Sequence, residues 1–259
     1  MRIIVTGGSS AIGTRLLAKL TSLESNVIDL SDKSRYSWRL GHNLPKFESD
    51  DLLIHLAHDR NSSFNDNIKA VNKICGSFSG KKVFLSSISA HSRSRSKYGK
   101  SKFEQEKIFL NHGGIVLRAG VVFGGRPAGI YLTLEKLLQR FKIIPVPYSG
   151  MSTFFMSHVD DLINELVSYR TLNISKPIFC ANPTPLSTLK LMKRISLLQS
   201  SSNVFVSLPV QPADIFIRAS AKLFPSIKEI DSLLSISIEV SNYEISQLNK
   251  PLNNFRSFL

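Results

Sequence analysis

Apolar runs of strand length alternate with stretches of helical spacing along the first half of the chain. Ile3-Ile4-Val5 is a β-branched run suited to a strand buried on both faces of a parallel sheet. The small-residue turn Thr6-Gly7-Gly8-Ser9-Ser10-Ala11-Ile12-Gly13 follows. Ile12, Leu16, Leu17, Leu20 and Leu23 then fall on one stripe of a predicted helix. Val27-Ile28-Asp29-Leu30 predicts a second strand, and residues 51–57 (DLLIHLA) a third. A helix around 67–75 leads into a strand over 82–87, helical spacing over 98–111 and a further strand over 114–122. This alternation predicts a doubly wound α/β sheet. Beyond about residue 125 it weakens. A strand over 177–180 and a helix over 188–198 are expected in a smaller lobe woven onto the sheet.

Composition supports a packed protein. Of 259 residues, 42% are hydrophobic and 20% charged, which excludes a disordered tail or a collagen-like fibre. Cys75 and Cys180 are too few for a disulfide framework and read as buried thiols of a reducing cytoplasm. Charge is the unusual quantity: 33 Lys+Arg against 19 Asp+Glu leave +14. Residues 1–150 carry 23 basic and 11 acidic side chains, and 151–259 carry 10 and 8. Such a surplus asks for a polyanionic partner: nucleic acid, a membrane surface or phosphate-bearing small molecules. No apolar run approaches the roughly 18 residues of a membrane span. Met1-Arg2-Ile3-Ile4-Val5 runs straight into the glycine turn without a leader pattern, so a cytoplasmic location without membrane attachment is expected.

The glycine turn joins a strand to a helix, which places free backbone N–H groups and a helix N-terminus where a pyrophosphate can sit. Gly7 permits the tight turn and Gly13 lets the helix pack close to the sheet. At the end of the second strand an acidic residue would bind the ribose 2′-hydroxyl of NAD, whereas nearby cations without it accommodate a 2′-phosphate. The expected position falls on Ser31, followed by Lys33 and Arg35, and Asp29 lies two residues early, within the strand. This leans to NADP over NAD.

Tyr98 and Lys102 are four residues apart, so on a helix they share a face and converge on one ligand. A tyrosine at its ordinary pKa near 10 is a poor acid or base at neutral pH. A nearby ammonium favours the phenolate, and a thousandfold change in that equilibrium takes about 4 kcal/mol. Ser87, ending the preceding strand, can hydrogen-bond a substrate oxygen whose charge changes during hydride transfer.

With these residues the chain resembles the extended short-chain dehydrogenase/reductases, the NAD(P)-dependent epimerase/dehydratase family of nucleotide sugars. The resemblance rests on TGGSSAIG at 6–13, DLLIHLA at 51–57, Asn67, FLSSIS at 84–89, YGKSK at 98–102, LRAGVVFG at 117–124 and HVDDL at 158–162. These occur in family order and span about two-thirds of the chain. The resemblance implies a Rossmann-type sheet with an NAD(P)-binding core over 1–125; residues 126–259 would complete it and form a small substrate lobe. It implies Ser87, Tyr98 and Lys102 as the catalytic triad, with Tyr98 the acid/base and Lys102 also on the nicotinamide ribose. Gly7, Ser10, Ala11, Ile12 and Gly13 would line the pyrophosphate and Ala57 the inner cofactor pocket. Two departures matter. Ser10 and Ala11 stand where the family's branches carry a third glycine. Ile88-Ser89 follow Ser87 where dehydratases carry Asp-Glu, which argues against a dehydratase.

Other groups are secondary. His55 and His58 have HxxH spacing without accompanying ligands, so structural roles are expected and no metal. The tract at 92–97 (SRSRSK) reads as a mobile active-site rim more than an RNA-binding segment. Arg126 and Arg140, with Lys142, are candidates for a substrate diphosphate. The leading expectation is an NAD(P)-dependent oxidoreductase that reduces a keto-sugar on a nucleotide, with no nucleic-acid partner and possible homodimers through the helix of Tyr98. The alternatives are an epimerase retaining NAD, or a non-catalytic dinucleotide-sensing or nucleic-acid-binding protein.

Overall fold

The computed structural model describes residues 2–23, 26–31, 38–59, 62–94, 96–146, 150, 153–168, 176–207 and 248–258. Six parallel strands form its central sheet. Across it they run β10 (Ile178–Cys180), β5 (Ile115–Ala119), β4 (Lys81–Ser87), β3 (Leu52–His55), β1 (Ile3–Thr6) and β2 (Val27–Leu30). Strand order reverses between β1 and β3, and in open sheets of this kind ligands bind at the C-terminal ends of the strands at such a point.

Successive strand residues face opposite sides. Ile3, Val5, Leu52, Ile54, Val83 and Leu85 therefore pack with Leu16 and Leu20 of α1 (Ala11–Leu23) and Leu162 and Leu166 of α5 (Val159–Ser168). Ile4, Leu53, Phe84 and Val116 pack on the other face, with Val71 and Ile74 of α2 (Phe64–Ser77) and Phe109 of α3 (Lys97–Asn111). The result is the expected Rossmann-type sheet with helices on both faces. Leu23 departs from its predicted stripe: it is exposed, because α1 has buried its face by Leu20 and runs out beyond it.

Two strand expectations are corrected. The run at 114–122 is not one strand. It breaks at Gly120, and β6 (Val121–Phe123) leaves the sheet to pair in parallel with β9 (Met156–His158). Ser157 holds the break, since its Oγ accepts from Gly120 N–H at 2.8 Å and donates to Cys180 O at 2.6 Å. Residues 177–180 were expected in the lobe, yet β10 is the edge strand of the central sheet. Its three residues are buried and apolar, as a strand covered on both faces requires. The returning tail covers its outer edge: Phe179 N–H donates to Asn249 O at 2.9 Å, and Phe255 enters the sheet core.

The lobe has its own core. Tyr131, Leu134 and Leu138 of α4 (Gly129–Arg140) meet Leu191 and Ile195 of α6 (Thr188–Leu198), with Met156 and Phe258 between them. Among the described residues no helix is long and apolar enough to cross a membrane.

Candidate active site

The turn after β1 lies against the exit of β3. Gly7 has φ +75°, and a Cβ there would stand 2.8 Å from the Ala57 backbone nitrogen, so only glycine lets the two segments touch. Ser10 caps α1: its Oγ accepts from Gly13 N–H at 3.0 Å, and its carbonyl accepts from Thr14 N–H at 2.9 Å. The amides of Ala11 and Ile12, in the first helical turn, have no intrahelical acceptor and sit at the positive end of the helix dipole. Arg126 extends over the same turn, with Nη2 3.4 Å from Ser9 O. Bare amides, a helix N-terminus and a guanidinium suit the diphosphate of a dinucleotide.

Ser31 is buried, and its hydroxyl donates to Asp29 Oδ2 at 2.9 Å. Asp29 lies within β2 opposite Val5, and its Oδ1 would stand 2.1 Å from a Cβ on Gly8. A carboxylate therefore lies against the glycine turn, two residues ahead of the position that Ser31 occupies. Lys33 and Arg35 lie outside the described residues.

Ser87 ends β4. Its Oγ accepts from Ser89 N–H at 3.2 Å and from the Ser89 hydroxyl at 3.0 Å, which leaves its own proton to be donated elsewhere. Tyr98 and Lys102 lie on α3 as expected. Lys102 is buried: Nζ donates to Leu85 O at 2.9 Å and lies 4.4 Å from the Phe84 ring centroid and 6.0 Å from that of Tyr98. The ammonium is thus fixed by β4 and its charge favours negative charge on the neighbouring phenol. Within the tract at 92–97, Lys97 is the first residue of α3. Ser94 is buried, and Ser96 is the helix cap, accepting from Gly99 N–H at 2.9 Å. Arg95 lies outside the described residues.

Further side chains belong to this site although sequence reasoning did not select them for it. His58 meets Tyr98 edge to face, with ring centroids 5.0 Å apart and planes at 88°. Gln105, one turn beyond Ser101 on α3, reaches His58 Nδ1 at 3.4 Å. Asn67 clamps the segment that follows, accepting from Asp59 N–H at 3.1 Å and donating to Asp59 O at 2.8 Å. Asn67 was already visible as a motif residue; Ser89 could have been found as the residue replacing Asp-Glu. His55 takes a different part. It is fully buried against the stacked rings of Phe84 and Phe109, with Nδ1 2.7 Å from Thr6 Oγ1, and burial pushes its pKa down to about 3.

Beneath the site, Glu106 of α3 and Arg118 of β5 form a buried bidentate pair, at 2.9 and 2.6 Å. Phe123 of the 117–124 block and His158 of the 158–162 block are register partners. Arg140 is not brought to this group: it ends α4, with its guanidinium 5.6 Å from the Phe141 ring centroid, and Lys142 is exposed just beyond. Cys75 and Cys180 are buried free thiols, and burial pushes Cys75 up to about 12.

No family model and no curated protein matches the chain in sequence. Solved structures do match, and they place the chain among Rossmann-type folds. UDP-glucuronic acid 4-epimerase from Bacillus cereus, in complex with NAD, aligns at TM-score 0.64 and 17% identity over 81% of this chain and 86% of that one. UDP-glucose 4-epimerase from Thermotoga maritima, with UDP-glucose, aligns at 0.63 and 17% over 82% and 86%. RMD from Pseudomonas aeruginosa, complexed with NADPH, aligns at 0.62 and 17% over 81% and 86%. The likeness is one of fold.

Proposed function

We propose that this protein is an NAD(P)-dependent oxidoreductase acting on a nucleotide-linked sugar, using Ser87, Tyr98 and Lys102. The observation that carries this reading is a continuous chain of contacts at the C-terminal ends of the strands. Gly7 touches Ala57, the adjacent His58 touches Tyr98, and Gly99 packs on Ser89, which holds Ser87. A dinucleotide turn and an acid/base group thus share one opening, and similarity to proteins solved with UDP-sugars, NAD or NADPH supports the same substrate class.

A bound nicotinamide dinucleotide supplies the hydride. In keto-sugar reduction Tyr98 gives its hydroxyl proton to the oxygen that becomes an alcohol. Ser87, with its acceptor sites engaged by Ser89, donates to that same oxygen and orients it. Lys102 stabilises the phenolate left on Tyr98 and would reach the ribose. Ala11 and Ile12 amides, with Arg126, would hold the diphosphate.

Epimerisation, which oxidises and reduces one carbon with retained NAD, is the second reading, and Asp29 favours it. Its carboxylate beside the turn repels a 2′-phosphate, whereas Ser31 by itself leans to NADP. Purification followed by mass spectrometry of bound nucleotide, with assays on 4-keto nucleotide sugars, separates the two. NADPH consumption abolished by Tyr98→Phe is the reductase outcome. Tightly retained NAD without NADPH consumption on any such sugar sinks it in favour of the epimerase.

A further inference from the structure

His58 is a titratable side chain in ring contact with Tyr98, and nothing in the chemistry above uses it. Three features hold it there. The segment behind it is pinned by Asn67 on Asp59. Its Nδ1 accepts from Gln105 Nε2, which also donates to Ser101 Oγ at 3.2 Å. Its ring stands perpendicular to that of Tyr98. With Nδ1 an acceptor, the neutral imidazole carries its proton on Nε2.

Gln105 has room for a second state. It is fully buried, and its Oε1 finds no partner among the described residues. If His58 gains a proton on Nδ1, two donors face each other. Turning the amide then presents Oε1 to the new N–H and to the Ser101 hydroxyl, which can donate to it, and moves Nε2 into the place that Oε1 had. His58 can therefore change charge without leaving Tyr98. It is half-buried, so its proton exchanges with solvent. Around it stand Tyr98 and Lys102 from α3, His55 at the end of β3 and Asp59 next in the chain.

We propose that His58, clamped by Gln105, is the positioning residue for Tyr98 and couples the ionisation of Tyr98 to the charge of this imidazole. The imidazolium favours a phenolate on Tyr98 through its charge, and the neutral ring holds Tyr98 edge to face. The part played in turnover rests on the function proposed above; the coupling to Tyr98 ionisation does not.

The test therefore has two arms. Tyr98 ionisation is followed by phenolate absorbance as the difference between the wild-type chain and Tyr98→Phe, repeated in the His58→Asn and Gln105→Leu backgrounds. The expected result is a midpoint raised by about one pH unit in His58→Asn, with a smaller rise in Gln105→Leu. An unchanged midpoint in a His58→Asn protein that retains its circular dichroism and thermal midpoint overturns the proposal; His58→Phe, which keeps a ring, replaces it if the asparagine variant fails to fold. In turnover, His58→Asn is expected to lower kcat roughly 10- to 100-fold with KM little changed. Full kcat in His58→Asn, where Tyr98→Phe is inactive, overturns the positioning role and leaves the proposed function standing. Activity that survives Tyr98→Phe overturns the proposed function, and the absorbance arm still decides the coupling.

Discussion

Gly99 of α3 lies directly on the backbone of Ser89: a Cβ at residue 99 would stand 2.4 Å from the Ser89 carbonyl oxygen. That contact sets how closely Tyr98, the preceding residue, approaches the end of β4. Because the obstacle is backbone, Gly99→Ala cannot be absorbed by a rotamer change and must push the helix away. The substitution is expected to cost about 1–3 kcal/mol in stability. In the proposed reaction it should lower kcat far more than that loss explains, through displacement of Tyr98. Denaturant titration beside steady-state kinetics checks both.

The Glu106–Arg118 pair ties the same helix to β5. Glu106→Gln leaves Arg118 with half its partner in a buried place, which costs about 3–5 kcal/mol. Replacing both residues by leucine removes the unpaired charge, so the double variant should recover most of that loss. A double variant no more stable than Glu106→Gln would show that the pair is not the unit of stability.

His55 sets a pH dependence of folding. Its ordinary pKa is 6.5 and burial lowers it to about 3 in the folded chain. Between those values the unfolded chain binds the extra proton and the folded chain does not. Stability is therefore full above about pH 6.5 and is lost as pH falls toward 3, by several kcal/mol. Chemical denaturation from pH 7 to 4 should show this slope, and His55→Asn should flatten it whatever its stability at pH 7.

Asp29 is expected to set cofactor choice through charge. In Asp29→Asn the hydrogen bond from Ser31 can persist while the carboxylate is lost. The ratio of Kd values for NADP and NAD should shift toward NADP by about tenfold or more. Calorimetric titration of both dinucleotides, oxidised and reduced, measures it. An unmoved ratio would make residues beyond Ser31 the determinants.

The alternation of short β-branched runs with helical stripes was enough to read the parallel sheet, because strands such as Ile3–Thr6 are buried on both faces and need continuous apolar character. The places of Tyr98 and Lys102 on one helix and of Ser87 at a strand end were readable as well, since helical spacing and a strand end are local properties. What the chain order concealed is contact between residues distant in sequence. The tertiary structure made residues 177–180 a sheet edge, because the returning tail pairs with it. It broke 114–122 at Gly120, because Ser157 ties that point to a second strand pair. It set Asp29 beneath the turn that Ser31 alone described, and His58 against Tyr98. Local pattern determines which elements form and which groups they carry. Packing decides which of those groups meet, because burial and hydrogen bonding reward partners without regard to their separation along the chain.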